Sequence, residues 1–293
     1  MITIAYQGEP GSNSAAATAD LYPGSTGLPC TSFEQALEAV TLGTADLAVI
    51  PVDNSAAGRV ADVHHLLPES ALSIIAEYFL PIRFDLVAVP HGTWEQIECV
   101  RSHVHALSQC RKVLREGGWR TLVTQDTAGA ARELAELGDP RHAALAPPAA
   151  AREYGLRVLR PGVEDDPDNT TRFVVLSRDA VLPQDTGAPT MSSLFFCVRN
   201  IPSALYKALG GFASNAVNIT KIESYQIGAG LHPSRFYVEI EGHPDEPRVA
   251  LALEELNFFS SEVRLLGVYP AHPHRREGRD RRAEAAADGP VPR

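Results

Sequence analysis

The sequence predicts an α/β protein: a doubly wound region over about the first 180 residues, then a ferredoxin-like β-α-β-β-α-β module. Three observations predict it. Strand and helix periodicities alternate from residue 2 to residue 159. Residues 178–190 (Arg-Asp-Ala-Val-Leu-Pro-Gln-Asp-Thr-Gly-Ala-Pro-Thr) read as a linker. Beyond them the order becomes strand, helix, strand, strand, helix, strand within about 77 residues.

Residues 2–6 alternate and are β-branched, which predicts a first strand. Gly8-Glu9-Pro10-Gly11-Ser12-Asn13-Ser14 is a turn, and a helix begins over residues 15–21. Ser32-Phe33-Glu34-Gln35 has capping-box spacing, with Phe33, Ala36, Leu37 and Val40 on one helical face and Gly43 as its stop. Residues 47–52 form a buried strand, with Asp53-Asn54-Ser55-Ala56-Ala57-Gly58 as the loop at its carboxyl end. Further strands are expected near residues 72–77 and over 84–89. A second half then repeats the rhythm: helix 109–115, strand 121–124, helix 127–137 capped by Asp126, strand 142–146, helix 148–154 and strand 156–159. This repetition is compatible with two similar lobes around a cleft, which periodicity alone does not establish.

In the C-terminal part, residues 193–199 are a strand. Residues 202–213 are a helix with Leu205, Ala208, Leu209 and Phe212 on one face. Residues 218–225 are a strand, Gly228-Ala229-Gly230 a turn, and 235–241 a strictly alternating strand. Residues 247–256 are a helix with Pro in its first turn, and 262–269 the last strand. Residues 271–293 lack apolar periodicity and read as a disordered tail.

At 293 residues the chain holds about two domains. No run approaches the roughly 20 apolar residues of a membrane span, so no membrane partner is expected. The N-terminus has no basic region and reads as a strand rather than a signal peptide. Cys30, Cys99, Cys110 and Cys197 are scattered, which suits a cytoplasmic protein without disulfides or a zinc site. The net charge is -10; residues 271–293 carry six Arg against four acids, leaving -12 for residues 1–270. That balance argues against nucleic acid as a partner and leaves an anionic substrate to local groups. The histidines (His64-His65, His103 with His105, His272 with His274) lack the spacing of a helical metal pair, and no cofactor motif appears.

Three loops place small polar groups at strand ends, where α/β folds bind ligands. Gly11-Ser12-Asn13-Ser14 follows the first strand. Its reading is either a plain helix cap or an anion site using backbone N–H groups and a helix N-terminus. Asn54-Ser55 is either an Asx turn or a ligand contact. The third is Asn169-Thr170-Thr171-Arg172-Phe173, which follows the acidic loop Glu164-Asp165-Asp166-Pro167-Asp168 and enters apolar Val174-Val175-Leu176. Arg172 is the best candidate for a carboxylate clamp, since guanidinium pairs with carboxylate in bidentate geometry. In a regular strand, however, Thr171 and Phe173 share one face and Arg172 takes the other. Asp126-Thr127 opens a helix, with Thr127 either in a cap or facing a second anionic group.

These motifs, in order, resemble the prephenate dehydratase family with a C-terminal ACT regulatory domain, over about residues 2–270. The family's Thr-Arg-Phe matches Thr171-Arg172-Phe173. Its Pro-(Ile/Val)-Glu-Asn-Ser-x-x-Gly matches Pro51-Val52-Asp53-Asn54-Ser55-Ala56-Ala57-Gly58, with Asp53 in place of Glu. Gly8, Gly11 and Ser14 match Gly-x-x-Gly-x-x-Ser. Ser102-His103, Ala106-Leu107 and Gln109-Cys110 resemble its Ser-His-Pro-Gln-Ala-Leu-x-Gln-Cys. Asp126-Thr127-Ala128 with Ala130-Ala131 resembles its second-lobe motif. Ser203-Ala204-Leu205 stands where the family has Gly-Ala-Leu. Asn218-Ile219-Thr220-Lys221-Ile222-Glu223-Ser224 matches Asn-Leu-Thr-Lys-Ile-Glu-Ser, but Tyr225-Gln226 replace the following Arg-Pro.

The resemblance implies a catalytic domain over residues 1–178 with two periplasmic-binding-protein-like α/β lobes, the second over about 79–157. It implies an ACT domain over 192–270. The implied reaction converts prephenate to phenylpyruvate, CO2 and water without a cofactor. Phenylalanine would feed back at ACT–ACT interfaces of a homodimer or homotetramer. On this reading Thr171 donates a hydrogen bond to the departing hydroxyl, Arg172 holds a carboxylate or organises the loop, and Phe173 packs the strand or the ring. Gly11, Ser12, Ser14, Asn54, Ser55, Thr127 and Asn169 hold the substrate. Ser203, Ala204, Leu205, Asn218, Ile219, Glu223 and Ser224 meet phenylalanine. Alternatives are arogenate dehydratase, with the same elimination, and a non-catalytic amino-acid sensor. No fused chorismate mutase segment is expected.

Overall fold

A computed structural model describes the chain except residues 181, 200, 227–232 and 277–293. The expected turn at Gly228–Gly230 and the tail from residue 277 lie outside the described residues. The chain forms two compact units: Met1–His64 with Tyr78–Val174, and His65–Glu77 with Val175–Arg293.

The first unit opens with β1 (Thr3–Gln7), α1 (Asn13–Leu21), β2 (Thr26–Cys30), α2 (Phe33–Thr41), β3 (Leu47–Asn54) and the short β4 (Gly58–Arg59). Elements α3 (Ala61–Glu69) and β5 (Ser73–Pro81) straddle the division. There follow β6 (Asp85–Ala88), β7 (Cys99–Ser102), α4 (Val104–Gln109), α5 (Arg111–Gly117), β8 (Arg120–Val123), α6 (Thr127–Leu137), β9 (His142–Ala146), α7 (Pro148–Glu153), β10 (Arg157–Arg160) and β11 (Thr170–Ser177). Two sheets result. In one, β11, β3, β1 and β2 lie side by side, with β1 parallel to both β2 and β3. The other has the order β10-β6-β9-β7-β8. Parallel strands covered on both faces must be apolar throughout, and Ile4, Ala5, Ala48, Val49 and Ile50 are fully buried.

Local chemistry explains most boundaries. Ser32 Oγ accepts from Gln35 N–H at 3.2 Å, while Gln35 Oε1 reaches back to Thr31 N–H at 2.7 Å, one residue short of a strict capping box. Strand β2 escapes sequence reading because Pro29 sits inside it; as the edge strand, β2 tolerates a residue without an N–H. The helix expected over 109–115 is two helices. Cys110 leaves helical backbone at φ -125°, ψ 36°, and a new helix starts because the Asp165 carboxylate accepts from Arg111 N–H (2.9 Å) and Lys112 N–H (3.0 Å).

The second unit contains β12 (Thr190–Val198), α8 (Ala204–Ser214), β13 (Ile219–Gln226), β14 (Pro233–Glu241), α9 (Pro247–Phe259) and β15 (Ser260–Pro270). Their sheet order is β13-β14-β12-β15, antiparallel throughout, the ferredoxin-like arrangement. Leu194, Phe196, Phe212, Phe236, Val238, Ile240 and Leu256 form its core. At the β15 edge, Gly267 pairs with Ile74 of β5; a Cβ there would collide with the Ile74 carbonyl. The start of the tail is not free. Arg275 bridges two buried carboxylates, Glu77 (2.7 Å) and Glu239 (3.0 Å), so residues 271–276 are fastened to this unit.

Candidate active site

Strand β3 ends at Asn54, and β11 begins at Thr170 beside it. Thr170 N–H donates to Ser55 Oγ, and Ser55 N–H donates to the Thr170 carbonyl, both at 2.9 Å. The Asn54 side chain makes the turn and reaches across it. Its Oδ1 accepts from the N–H groups of Ala56 (3.0 Å) and Ala57 (2.7 Å). Its Nδ2 donates to Asn169 Oδ1 (2.8 Å) and Thr171 Oγ1 (2.9 Å). The two readings of Asn54, Asx turn and site residue, therefore coexist. A flipped amide would set its NH2 group against the N–H groups of Ala56 and Ala57, so the turn fixes which end faces Thr171.

The chain of amides continues into the other sheet's helices. Asn169 Nδ2 donates to Gln109 Oε1 at 2.8 Å. Gln109 is the last residue of α4, and its carbonyl accepts from Asp165 N–H. Gln109 is the site residue that sequence reading left out. The signal was present in Gln109-Cys110 of the matched motif, but an expected helix start hid the break that turns this amide toward Asn169. Cys110 itself is fully buried, and burial raises its thiol far above the ordinary range, so it packs as a neutral group.

Along β11 the side chains alternate. Thr171 retains 9 % of its surface, Arg172 5 % and Phe173 1 %. Phe173 is a core residue of the strand. Arg172 pairs with Asp53 through Nη1–Oδ2 at 3.4 Å, so a carboxylate from this chain already faces the guanidinium. With Oγ1 accepting from Asn54, the Thr171 hydroxyl proton remains to be donated elsewhere.

The Gly11 loop lies at the carboxyl end of β1. Ser12 caps α1, its Oγ accepting from Ala15 N–H at 3.2 Å, and both Ser12 and Ser14 are buried. Gly11 needs to be glycine twice over. Its φ is +80°, and a Cβ would lie 2.6 Å from Ala150 Cα. After β8 of the five-stranded sheet, Asp126 caps α6 through Gly129 N–H (2.6 Å), leaving half-buried Thr127 as the first helical residue. His103, N-terminal to α4, has its pKa lowered by burial and by His105, with Asp126 pulling the other way. The structure thus joins Asn54, Asn169 and Thr171 by direct side-chain hydrogen bonds, with Ser55 tied to the Thr170 backbone beside them. Ser12, Ser14 and Thr127 sit at helix N-termini outside that network. Among the described residues no group of three or more His, Cys, Asp or Glu could hold a metal ion. Nor is any described helix long and apolar enough to cross a membrane.

The residues expected to meet phenylalanine divide by topology. Cys197 and Tyr225 both pair with Arg235, whereas Met191 pairs with Glu241 and Ile219 with Ile240. Ser203, Ala204 and Leu205 therefore follow the same end of the sheet as Glu223 and Ser224, and Asn218 with Ile219 lies at the opposite end. Ser203 adopts φ +60°, the left-handed region.

Fold and site define an α/β protein in which hydroxyls and amides, ordered from two sheets, converge at strand ends. The prephenate dehydratase family profile matches residues 4–181. The bifunctional N-acyl-homoserine lactone acylase/prephenate dehydratase of Komagataeibacter europaeus is 43% identical over 94% of this chain and 98% of its own length. Arogenate dehydratase/prephenate dehydratase 6 of Arabidopsis thaliana is 38% identical over 92% of this chain and 69% of its own. The crystal structure of prephenate dehydratase in complex with L-Phe from Arthrobacter aurescens superposes with a TM-score of 0.84 at 35% identity, covering 98% of each chain. The chain belongs to the prephenate dehydratase family.

Proposed function

We propose that this chain converts prephenate to phenylpyruvate, CO2 and water, in the synthesis of phenylalanine, and that its C-terminal module is an ACT domain through which phenylalanine inhibits it. The observation that carries the reaction is the Asn54–Thr171 hydrogen bond. Prephenate is a dianion whose ring becomes aromatic when the ring carboxylate leaves as CO2. The carbon–carbon electron pair moves into the ring, and the ring C–O bond breaks toward the departing hydroxyl. That hydroxyl must take up one proton to leave as water, and phenylpyruvate remains as a monoanion.

Thr171 supports the step by donating a hydrogen bond to the leaving oxygen. Threonine is too weak an acid to surrender its proton, so water supplies it. Acid assistance of this kind is worth ~10²–10⁴-fold, and fixed donors and positioning provide the rest. Ser55, Ser12, Ser14, Thr127 and the helix N-termini of α1 and α6 receive the carboxylates. Arg172, held by Asp53, organises the β3–β11 junction.

Regulation follows from the divided effector set. One phenylalanine meets both Ser203–Leu205 and Asn218 only if two copies contribute opposite ends of their modules, which supports a homodimer or a larger assembly. The relatives raise two further readings of substrate: arogenate, as in the Arabidopsis relative, and an N-acyl-homoserine lactone, as in the Komagataeibacter relative.

The test is purified protein with each of the three substrates, following phenylpyruvate, phenylalanine or free acid. Phenylpyruvate formation suppressed by added phenylalanine supports the proposal. Turnover of arogenate alone changes the substrate and keeps the elimination. Cleavage of the acyl amide of the N-acyl-homoserine lactone alone, releasing free acid, would reject it.

A further inference from the structure

The loop of residues 8–14 belongs to the first sheet's strand β1, yet it is held from the second lobe. Tyr154, just beyond α7, donates its hydroxyl proton to the Pro10 carbonyl at 3.0 Å. The next residue, Gly11, lies so close to the Ala150 backbone of α7 that no Cβ fits between them. Glu9 pairs with Arg132 of α6 at 3.4 Å, with both side chains more than a third exposed. Of these three ties, the exposed ion pair is worth least and the Tyr154 bond is the directional one. Burial, with Glu9 and Glu153, raises the Tyr154 pKa to about 12, so the hydroxyl remains a donor at any working pH.

We infer that Tyr154 is a positioning residue: from the second lobe it holds the loop of residues 8–14 in the shape in which Ser12 and Ser14 receive a substrate carboxylate. This rests on the prephenate reading for the identity of the substrate, and on geometry alone for the hold on the loop. The bond closes the backbone carbonyl that directly precedes Gly11 and Ser12. Released, the loop would have to recover its shape on each binding event. Substrate binding would weaken by the fraction of time it is misplaced. The chemical step, at Thr171, would be untouched.

The experiment is Tyr154→Phe, which removes one oxygen and leaves the ring, with Arg132→Gln as the control that, of the loop's three ties, removes only the exposed one, together with the Arg132–Glu136 pair within α6. Two readouts are needed. Amide hydrogen exchange of residues 8–14 should quicken about five-fold in Tyr154→Phe, the size of one neutral hydrogen bond. With prephenate, KM should rise about five-fold while kcat stays within two-fold, and Arg132→Gln should change neither. Unchanged loop exchange overturns the inference whatever the kinetics. Faster exchange with a fall in kcat and a constant KM also overturns it, since the loop would then act in the chemistry. Faster exchange in a protein whose wild type does not turn over prephenate rejects the substrate reading and supports the hold of Tyr154 on the loop.

Discussion

Asn54 donates to Thr171 through a 2.9 Å hydrogen bond that joins residues 117 apart in sequence. The bond decides what the hydroxyl can do. Asn54 occupies an acceptor site on Thr171 Oγ1 and leaves the proton to point away. Replacing Asn54 by Asp reverses that polarity. The new carboxylate accepts from Thr171 and draws its proton inward, while the tie to Asn169 Oδ1 becomes a repulsion. Asn54→Asp should lower kcat for prephenate ~10²–10³-fold, the range for loss of one preorganised donor, and its added negative charge should also raise KM for the dianion. Steady-state kinetics beside circular dichroism checks this.

The amide chain Gln109–Asn169–Asn54–Thr171 should behave as one unit. Gln109→Leu removes the acceptor for Asn169 Nδ2 and leaves that donor unsatisfied. The cost is about 1–2 kcal/mol, or roughly tenfold in kcat. Combined with Asn54→Ala, the loss should fall well short of the product of the single losses, because the first change has already broken the chain. A double-mutant cycle in kcat measures it, and full additivity would show that Gln109 acts elsewhere.

Asp85 carries a pH prediction. Its carboxyl is buried and its pKa is raised, chiefly by desolvation, against the opposing hydrogen bond from Gly162 N–H. A raised folded-state value means that the folded protein holds this proton more tightly than the unfolded chain. The stability it contributes is fully present below the ordinary aspartate value near 4 and is lost as pH rises through the folded value. Asp85→Asn keeps an acceptor for Gly162 and removes the charge. Its Tm should exceed that of wild type at pH 7, and the gap should close toward pH 4.

Ser203 occupies a backbone position suited to glycine, with φ +60° and a cap site that lacks a side-chain hydrogen bond. Left-handed backbone costs a non-glycine residue about 1–2 kcal/mol, partly offset by the greater freedom glycine has when unfolded. Ser203→Gly should therefore raise stability by about 0.5–1 kcal/mol, read from the denaturant midpoint at constant slope. Stability equal to or below wild type would mean that other contacts of Ser203 outweigh the strain.

What the sequence revealed and what it hid divide by range. Helix α6 was legible to the residue because both of its signals are local: Asp126 caps one end and Gly138, at φ +65°, closes the other. The break at Cys110 was not, because its cause is an Asp165 carboxylate more than 50 residues away. The alternation along Thr171, Arg172 and Phe173 was readable from strand periodicity. That Asp53 would face Arg172 across 119 residues was not. The candidate loops were visible as polar residues at strand ends. Their joining into one network depended on two amides, Asn169 and Gln109, which meet across 60 residues of sequence, one just before β11 and the other at the end of helix α4. The residues 271–276 were read as disordered because no apolar pattern marks them, and it is polar contacts that fasten them: the Arg275 guanidinium with the Ala271 and His272 N–H groups.

The most direct test of the account is kcat for prephenate in Thr171→Ala beside Thr171→Ser, with folding verified by circular dichroism. If Thr171 supplies the hydrogen bond that assists departure of the hydroxyl, the alanine variant loses ~10²–10⁴-fold in kcat while serine retains most of it. An alanine variant turning over within a few-fold of wild type would contradict the role assigned to Thr171 and to the amide chain that orients it.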